Sequence, residues 1–210
     1  AAGGKRSVVL DLKTPEGQAA AKKLAANCDV LIEAFRPGVA ARIGLGVENT
    51  REDAVCLSIS GFGQTGPNSE RPCTDSVAQA FSGFVGMNIG ADGVPHKANP
   101  FVSDMTTGIW AFAAIQTALA ARARDTTPRR RHIDMSLMMA TSFLMTANIA
   151  ETAYLGRTPA MPNTPAGAYR TQDDRWVMIT LVRNADFTPL CEVLGLTGIA
   201  PHSGFGSLWP

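Results

Sequence analysis

The sequence predicts an α/β protein: a Rossmann-like parallel sheet with flanking helices, followed by the start of a smaller second domain. Three observations carry that expectation. Short apolar runs alternate with helical patterns over residues 7–60, an order that requires right-handed crossovers and therefore parallel strands. Another strand and helix follow a long helical pattern that begins near residue 105. A proline-rich stretch without period, residues 156–167, then separates these from a last strand and helix.

Taken in order, Ser7–Leu12 reads as a buried strand. Thr14, Pro15 and Glu16 open a helix that runs to Asn27: a capping hydroxyl, a proline where the missing N–H costs nothing, and an acid at the positive end of the dipole. Cys28–Glu33 is a second strand, and Ala34–Gly38 leaves its carboxyl end. A short helical piece carries Arg42 before Gly44 and Gly46 break it, and residues 47–53 form another turn. Ala54–Ser60 is the third strand. Gly61–Gly66 matches G-x-G-x-x-G, yet the residues from Pro67 to Pro72 cannot open the helix on which a pyrophosphate would sit. It reads as a glycine loop beside a site, not as a dinucleotide fingerprint.

Asp75–Phe84 is helical in pattern and Gly86–His96 a loop. The long helix, Met105–Arg124, has Ile109, Phe112, Ala113, Ile115, Gln116 and Leu119 at near-helical spacing. Arg122–Arg131 is a basic connector, read as a solvated turn because no aromatic residues interleave for base stacking. Arg131–Ser136 alternates as a strand, and Leu137–Tyr154 is an apolar helix whose methionines suit adaptable packing. Trp176–Leu181 is a strand and Ala185–Leu194 an amphipathic helix. The expected organisation is a large α/β domain over 1–150, incomplete at its N-terminus, a linker over 151–167, and an unfinished small domain over 168–210. With no initiator Met and a strand almost at once, a fragment is expected.

Lys and Arg number 19 against 18 Asp and Glu, a formal net charge of +1, so no general attraction to nucleic acid or an anionic membrane is expected. No apolar run is long enough to span a bilayer. Cys28, Cys56, Cys73 and Cys191 form no C-x-x-C pair and read as reduced thiols of a cytoplasmic protein. His96, His132 and His202 lack ligand spacing, so no metal is expected. There is no G-x-S-x-G elbow and no Walker loop. The chemistry falls instead to Asp104, set just after a short apolar run at the start of the long helix. Free backbone N–H groups and the helix dipole favour an anion there. Local pattern leaves it either a cap or a reactive carboxylate. Asp75 is a second acid upstream, after the loop that carries Arg71.

The stretches Lys5–Gly17, Asp29–Gly38, Ser58–Pro67 and Ser103–Gly108, in this order and spacing, resemble the family III CoA-transferases, the CaiB/BaiF group. His132–Leu137 and Asp186–Gly195 fit further along, so the resemblance covers nearly the whole chain. It implies transfer of CoA between an acyl-CoA thioester and a carboxylic acid through an aspartyl-CoA thioester. Asp104 would be the nucleophile, with Asp75 as the second catalytic acid. A carboxylate suits the task, being ionised at neutral pH without a base. The resemblance further implies CoA contacts at Lys13, Ala34, Phe35, Arg36, Arg42, Pro72, Cys73, Thr74 and Asp75. Ala34 stands where the family usually has Asn, and solvated surface charge is the alternative for Lys13 and Arg42. CoA enters as a substrate moiety, with no permanently bound cofactor, and the complete protein is expected to be an interlocked homodimer. Related 2-methylacyl-CoA racemases use a His in a Gly-His-Asp triplet, where this chain has Cys73-Thr74-Asp75, so one of two bases is missing. A non-catalytic CoA-binding or assembly fragment is the remaining alternative.

Overall fold

In the computed structural model of the chain, residues 3–90, 92–158, 167–180 and 184–196 are described. Helix α1 (Pro15–Ala25) begins as its local chemistry requires: the Thr14 hydroxyl accepts from the Gly17 N–H at 3.1 Å, with Pro15 and Glu16 in the first turn and Lys22 and Lys23 in the last. It leads to strand β1 (Val30–Glu33), the short helix α2 (Val39–Arg42) and strand β2 (Val55–Ser60). After the glycine loop come α3 (Asp75–Phe81), α4 (Phe84–Met87) and the long α5 (Val102–Arg122). Strand β3 (Arg131–Ser136) follows, and then α6 (Leu137–Leu144). The three strands form one parallel sheet in the order β1-β2-β3, with Glu33 opposite Ser58 and Ser58 opposite Asp134.

The expected first strand at Ser7–Leu12 is not formed. Among the described residues β1 pairs only with β2, and Val8 and Val9 are exposed. A strand is held by backbone bonds to a neighbour, and none runs beside this segment. Asp11 instead folds it into α1: its side chain accepts from the Lys13 N–H at 2.9 Å and its carbonyl from the Thr14 N–H at 3.1 Å.

Helix α5 crosses one face of the sheet, where Leu57, Ala111, Ile115 and Met135 form the core and Val30 and Ile133 pack at its margin. Its buried positions are Ser103, Thr107, Ala111, Ile115 and Ala118, a stripe of mostly small residues that permits close approach. Of the apolar residues that marked this helix in the sequence, Ile115 is buried, whereas Ile109 and Phe112 are 68% and 65% exposed.

Two expected helices are broken. Asp75–Phe84 ends at Phe81, because Gly83 takes φ +83°, a left-handed conformation that stops α3 and starts α4. Leu137–Tyr154 divides at Met145 (φ −95°, ψ 6°), next to Thr146, whose hydroxyl donates to the Phe143 carbonyl at 2.7 Å. The second piece is α7 (Thr146–Leu155). The basic connector is not simply solvated. Arg130 Nη2 donates to the Thr50 carbonyl at 2.8 Å, Arg131 pairs with Asp125 at 2.6 Å, and Arg122 pairs with Asp29 at 3.1 Å.

The chain divides into two units after Thr146. In the second, β4 (Gly167–Arg170) and β5 (Trp176–Ile179) form an antiparallel hairpin, and a 3-10 turn over Asn184–Asp186 precedes α8 (Phe187–Val193). The expected linker 151–167 begins inside α7, and residues 159–166 lie outside the described set. His202 and the remainder of the expected small domain past residue 196 lie outside it too. Strand β4 has no counterpart in the sequence reading. Thr171 closes the hairpin, donating its N–H to the Arg175 carbonyl at 2.8 Å, with Asp174 at φ +62° in the turn. No helix among the described residues is long and apolar enough to cross a membrane.

Candidate active site

The carboxyl ends of β1 and β2 open into a cleft of about 390 Å³, where ligands of parallel sheets bind. Ala34, Phe35 and Arg36 reach it from the end of β1, and Pro72, Cys73 and Thr74 from the segment before α3. These are six of the residues that the resemblance singled out, gathered from two stretches far apart in the chain. Ser60 and Arg71 also line it and were not anticipated there, whereas Gly61 belongs to the glycine loop that was read as lying beside a site. Gly61 is required by space: a Cβ on it would lie 2.2 Å from Cys73 Cβ. Arg71 lies over the Phe81 ring, 5.5 Å from its centre, and Phe81 meets Phe62 edge-on. Lys13 and Arg42 are exposed and do not line the cleft.

The glycine loop is held at its middle by two side chains. Gly63 N–H donates to Ser60 Oγ at 3.0 Å, and Gln64 N–H to Asp134 Oδ2 at 2.9 Å. No helix opens on residues 67–72 after the loop, and the next one is α3.

Asp104 occupies the third position of α5, within its first turn instead of at its cap. The N-cap residue is Phe101, whose side chain cannot cap. Asp75 does so from α3: its Oδ1 accepts from the N–H groups of Ser103 at 2.7 Å and Asp104 at 3.3 Å. Its Oδ2 accepts from Gln79 Nε2 at 2.6 Å. Asp75 is only 6% exposed and does not line the cleft. The geometry at Asp75 is thus that of a helix cap supplied from another helix, and neither Asp75 nor Asp104 is among the residues that line this cleft. With the cap supplied elsewhere, the Asp104 side chain is left exposed and uncommitted to the backbone.

Although it reaches solvent, the Asp104 carboxyl is partly desolvated by the protein around it, and this partial burial raises it above the ordinary aspartate range, with the neighbouring Asp75 charge adding to it. Burial also raises the Cys73 thiol, with further contributions from the Asp104 and then the Asp75 charge. Ser103 and Thr141, neither expected from sequence, complete the support. Thr141 Oγ1 donates to Ser103 Oγ at 2.7 Å, and Ser103 Oγ to the Asp75 carbonyl at 3.3 Å. Gln79 was likewise missed, although its place four residues after Asp75 on a helical pattern sets the two side by side. No group of three or more His, Cys, Asp or Glu side chains suited to a metal occurs among the described residues.

The model of CoA-transferase family III matches residues 1–208. The chain is 36% identical over 212 residues to the succinate–glutarate CoA-transferase of Agrobacterium fabrum, covering 97% of this chain and 52% of that protein. It is 34% identical to the acetyl-CoA:oxalate CoA-transferase of Acetobacter aceti, covering 96% and 54%. The crystal structure of a CaiB/BaiF family protein from Brucella suis superposes with a TM-score of 0.79 at 30% identity, covering 97% of this chain and 56% of that one. The chain thus spans about half the length of the relatives it matches. By the family match and by the fold that carries the cleft, the chain belongs to CoA-transferase family III.

Proposed function

We propose that this chain carries the CoA-binding cleft and the nucleophile of a CoA-transferase that moves CoA between an acyl-CoA thioester and a carboxylic acid. The observation that carries the reading is Asp104, an exposed carboxylate in the first turn of α5 whose side chain is left free because Asp75 caps that turn in its place. Its carboxylate attacks the thioester carbonyl, forming a mixed anhydride and releasing CoA thiolate. The thiolate attacks the aspartyl carbonyl, forming the aspartyl-CoA thioester and freeing the donor acid. The acceptor carboxylate then attacks that thioester, and the released thiolate takes the acceptor's acyl carbon from the new anhydride. Asp104 is regenerated as a carboxylate.

Arg36 and Arg71, both lining the cleft, suit the phosphates of CoA. Lys13 and Arg42 enter only as contacts to the far end of an extended molecule, and Ala34 contributes backbone. Asp75 acts as a positioning residue. The relatives' names pair CoA with succinate, glutarate and oxalate, and we take a small carboxylic acid as the acceptor class. The exposed apolar residues of α5 support burial in a homodimer of the full-length protein. Four free thiols support a cytoplasmic location.

The test is covalent trapping. Full-length protein incubated with acyl-CoA should carry an adduct on the Asp104 peptide, which hydroxylamine converts to a hydroxamate. Solvent deuterium entering the substrate α-carbon with no adduct would instead make it a racemase. Binding of acyl-CoA with neither outcome would make it a non-catalytic CoA binder.

A further inference from the structure

Behind Asp104 stands a side chain that touches neither the cleft nor solvent. Gln79 is 0% exposed, and its amide has no unused face. Nε2 donates to Asp75 Oδ2 at 2.6 Å and to the Ala98 carbonyl at 3.3 Å, while Oε1 accepts from the Ala98 N–H at 2.9 Å. Ala98 belongs to the segment that enters α5, and Asp75 caps the first turn of that helix. One amide therefore reaches the turn that bears Asp104 by two independent routes.

We infer that Gln79 is a positioning residue for Asp104, fixing Asp75 over the first turn of α5 and clamping the Ala98 backbone that leads into it. This rests on the transferase reading of Asp104 and extends it to a residue that never meets substrate.

The chemistry of the position calls for an amide. Every partner of the Asp75 carboxylate is a donor, so the side chain opposite Oδ2 must donate. The Ala98 N–H requires an acceptor on the same side chain. Glutamine offers both without charge; an ionised glutamate offers only acceptors, and methionine offers no donor. The titratable groups that face the cap are Asp75, Asp104 from α5 and Cys73 from the segment before α3. Helices α4 and α6 carry no charge, α6 contributing the Thr141 hydroxyl. On the way to Ala98, Asp92 and His96 pair with one another at 3.3 Å, and Lys97 is exposed.

Gln79→Glu turns this logic into a pH signature. When the new carboxyl is protonated, its O–H donates to Asp75 and its carbonyl oxygen accepts from Ala98, so the arrangement is preserved. Once it ionises, two buried carboxylates face each other and the first turn is displaced. Sharing one site raises the second ionisation of such a pair strongly, so kcat of Gln79→Glu should fall about tenfold from about pH 6 to about pH 8 while wild type changes by less than about twofold. Gln79→Met, similar in volume, should lower kcat about tenfold or more at all these pH values with KM for acyl-CoA within about twofold of wild type, because the cleft wall is untouched. In Asp75→Asn/Gln79→Glu the amide and the carboxylate are exchanged, a donor at position 75 meets an acceptor at position 79 and the Ala98 N–H keeps its acceptor, so that only the long contact to the Ala98 carbonyl is lost and the alkaline loss should disappear.

All variants are read in the full-length protein by turnover, by hydroxylamine trapping on the Asp104 peptide and by thermal melting. A wild type that forms no adduct refutes the transferase reading itself. A wild type that forms it, alongside Gln79→Glu with the wild-type pH profile and Gln79→Met with the wild-type kcat, overturns the role of Gln79 alone. If Gln79→Glu fails to fold, Gln79→Met and the exchanged pair decide: Gln79→Met at the wild-type kcat, or a folded exchanged pair that still loses activity toward about pH 8, overturns the inference.

Discussion

At the scale of the residue, Asp104 holds a charge that its surroundings disfavour. Burial first, and then Asp75, raise its pKa. The sign follows from linkage: a carboxyl whose folded pKa is raised destabilises the fold when ionised, and the penalty vanishes below both pKa values. Asp104→Asn should therefore raise Tm near neutral pH and leave it unchanged at about pH 3, where wild-type Asp104 is protonated in both states; equal Tm gains at both pH values would remove the electrostatic account. The same variant should be inactive. Asp104→Ala should abolish adduct formation, and Asp104→Glu should leave a trace, since an added methylene moves the nucleophile off its attack geometry. Activity should fall with acid as Asp104 takes up its proton. Asp75→Asn, by removing the neighbouring charge, should move that acid limb to lower pH; a limb that stays or rises would show that Asp75 does not act on Asp104 through charge.

At the scale of the element, the site depends on how closely two chain segments approach. The turn after β2 passes the segment before α3 with no room for a side chain at Gly61, where a Cβ would meet Cys73 Cβ at 2.2 Å. Gly61→Ala should force these two walls of the cleft apart and raise KM for acyl-CoA several-fold, by about 1 kcal/mol of lost binding; unchanged KM in titrations would contradict the cleft assignment. Gly83 poses a different demand. A Cβ there meets nothing within 4 Å, but φ is +83°. Gly83→Ala should cost about 1 kcal/mol of stability through backbone strain alone, measurable by denaturant unfolding. The break it makes ends α3 shortly after Gln79, and the chain then loops back to Ala98, where the Gln79 amide holds it.

At the scale of the whole molecule, α5 turns small residues inward and large ones outward. Met105, Ile109 and Phe112 lie on one outer stripe, with Phe101 at the helix entrance also exposed. An apolar stripe of this kind facing solvent is a surface for association. The 210-residue chain should self-associate in sedimentation experiments, and Ile109→Gln/Phe112→Gln should weaken that association with no loss of Tm. A wild-type chain that sediments as a monomer at high concentration would set this aside.

Apart from the break between α3 and α4, the sequence by itself determined the element types and their order from residue 15 to 136, because apolar periodicity and cap chemistry are local. Thr14-Pro15-Glu16 marks a helix start whatever surrounds it, and β3 falls on the residues its alternation indicated. The residues of the cleft were legible from Ala34–Arg36 and Pro72–Thr74 through family resemblance, and the sheet then brought them together. Only the tertiary structure decided which acid is free. Asp75 and Asp104 each stand at the beginning of a helical pattern, and local pattern leaves Asp104 either a cap or a reactive carboxylate. Asp75 caps the other helix because α3 and α5 meet there, a contact across 28 residues that no local rule encodes. Gln79 was invisible for the same reason, since its partner Ala98 lies 19 residues away. The strand expected at 7–12 failed by the converse logic: its composition suits a sheet, but a strand exists only beside another, and β1 offers an edge that this segment does not join.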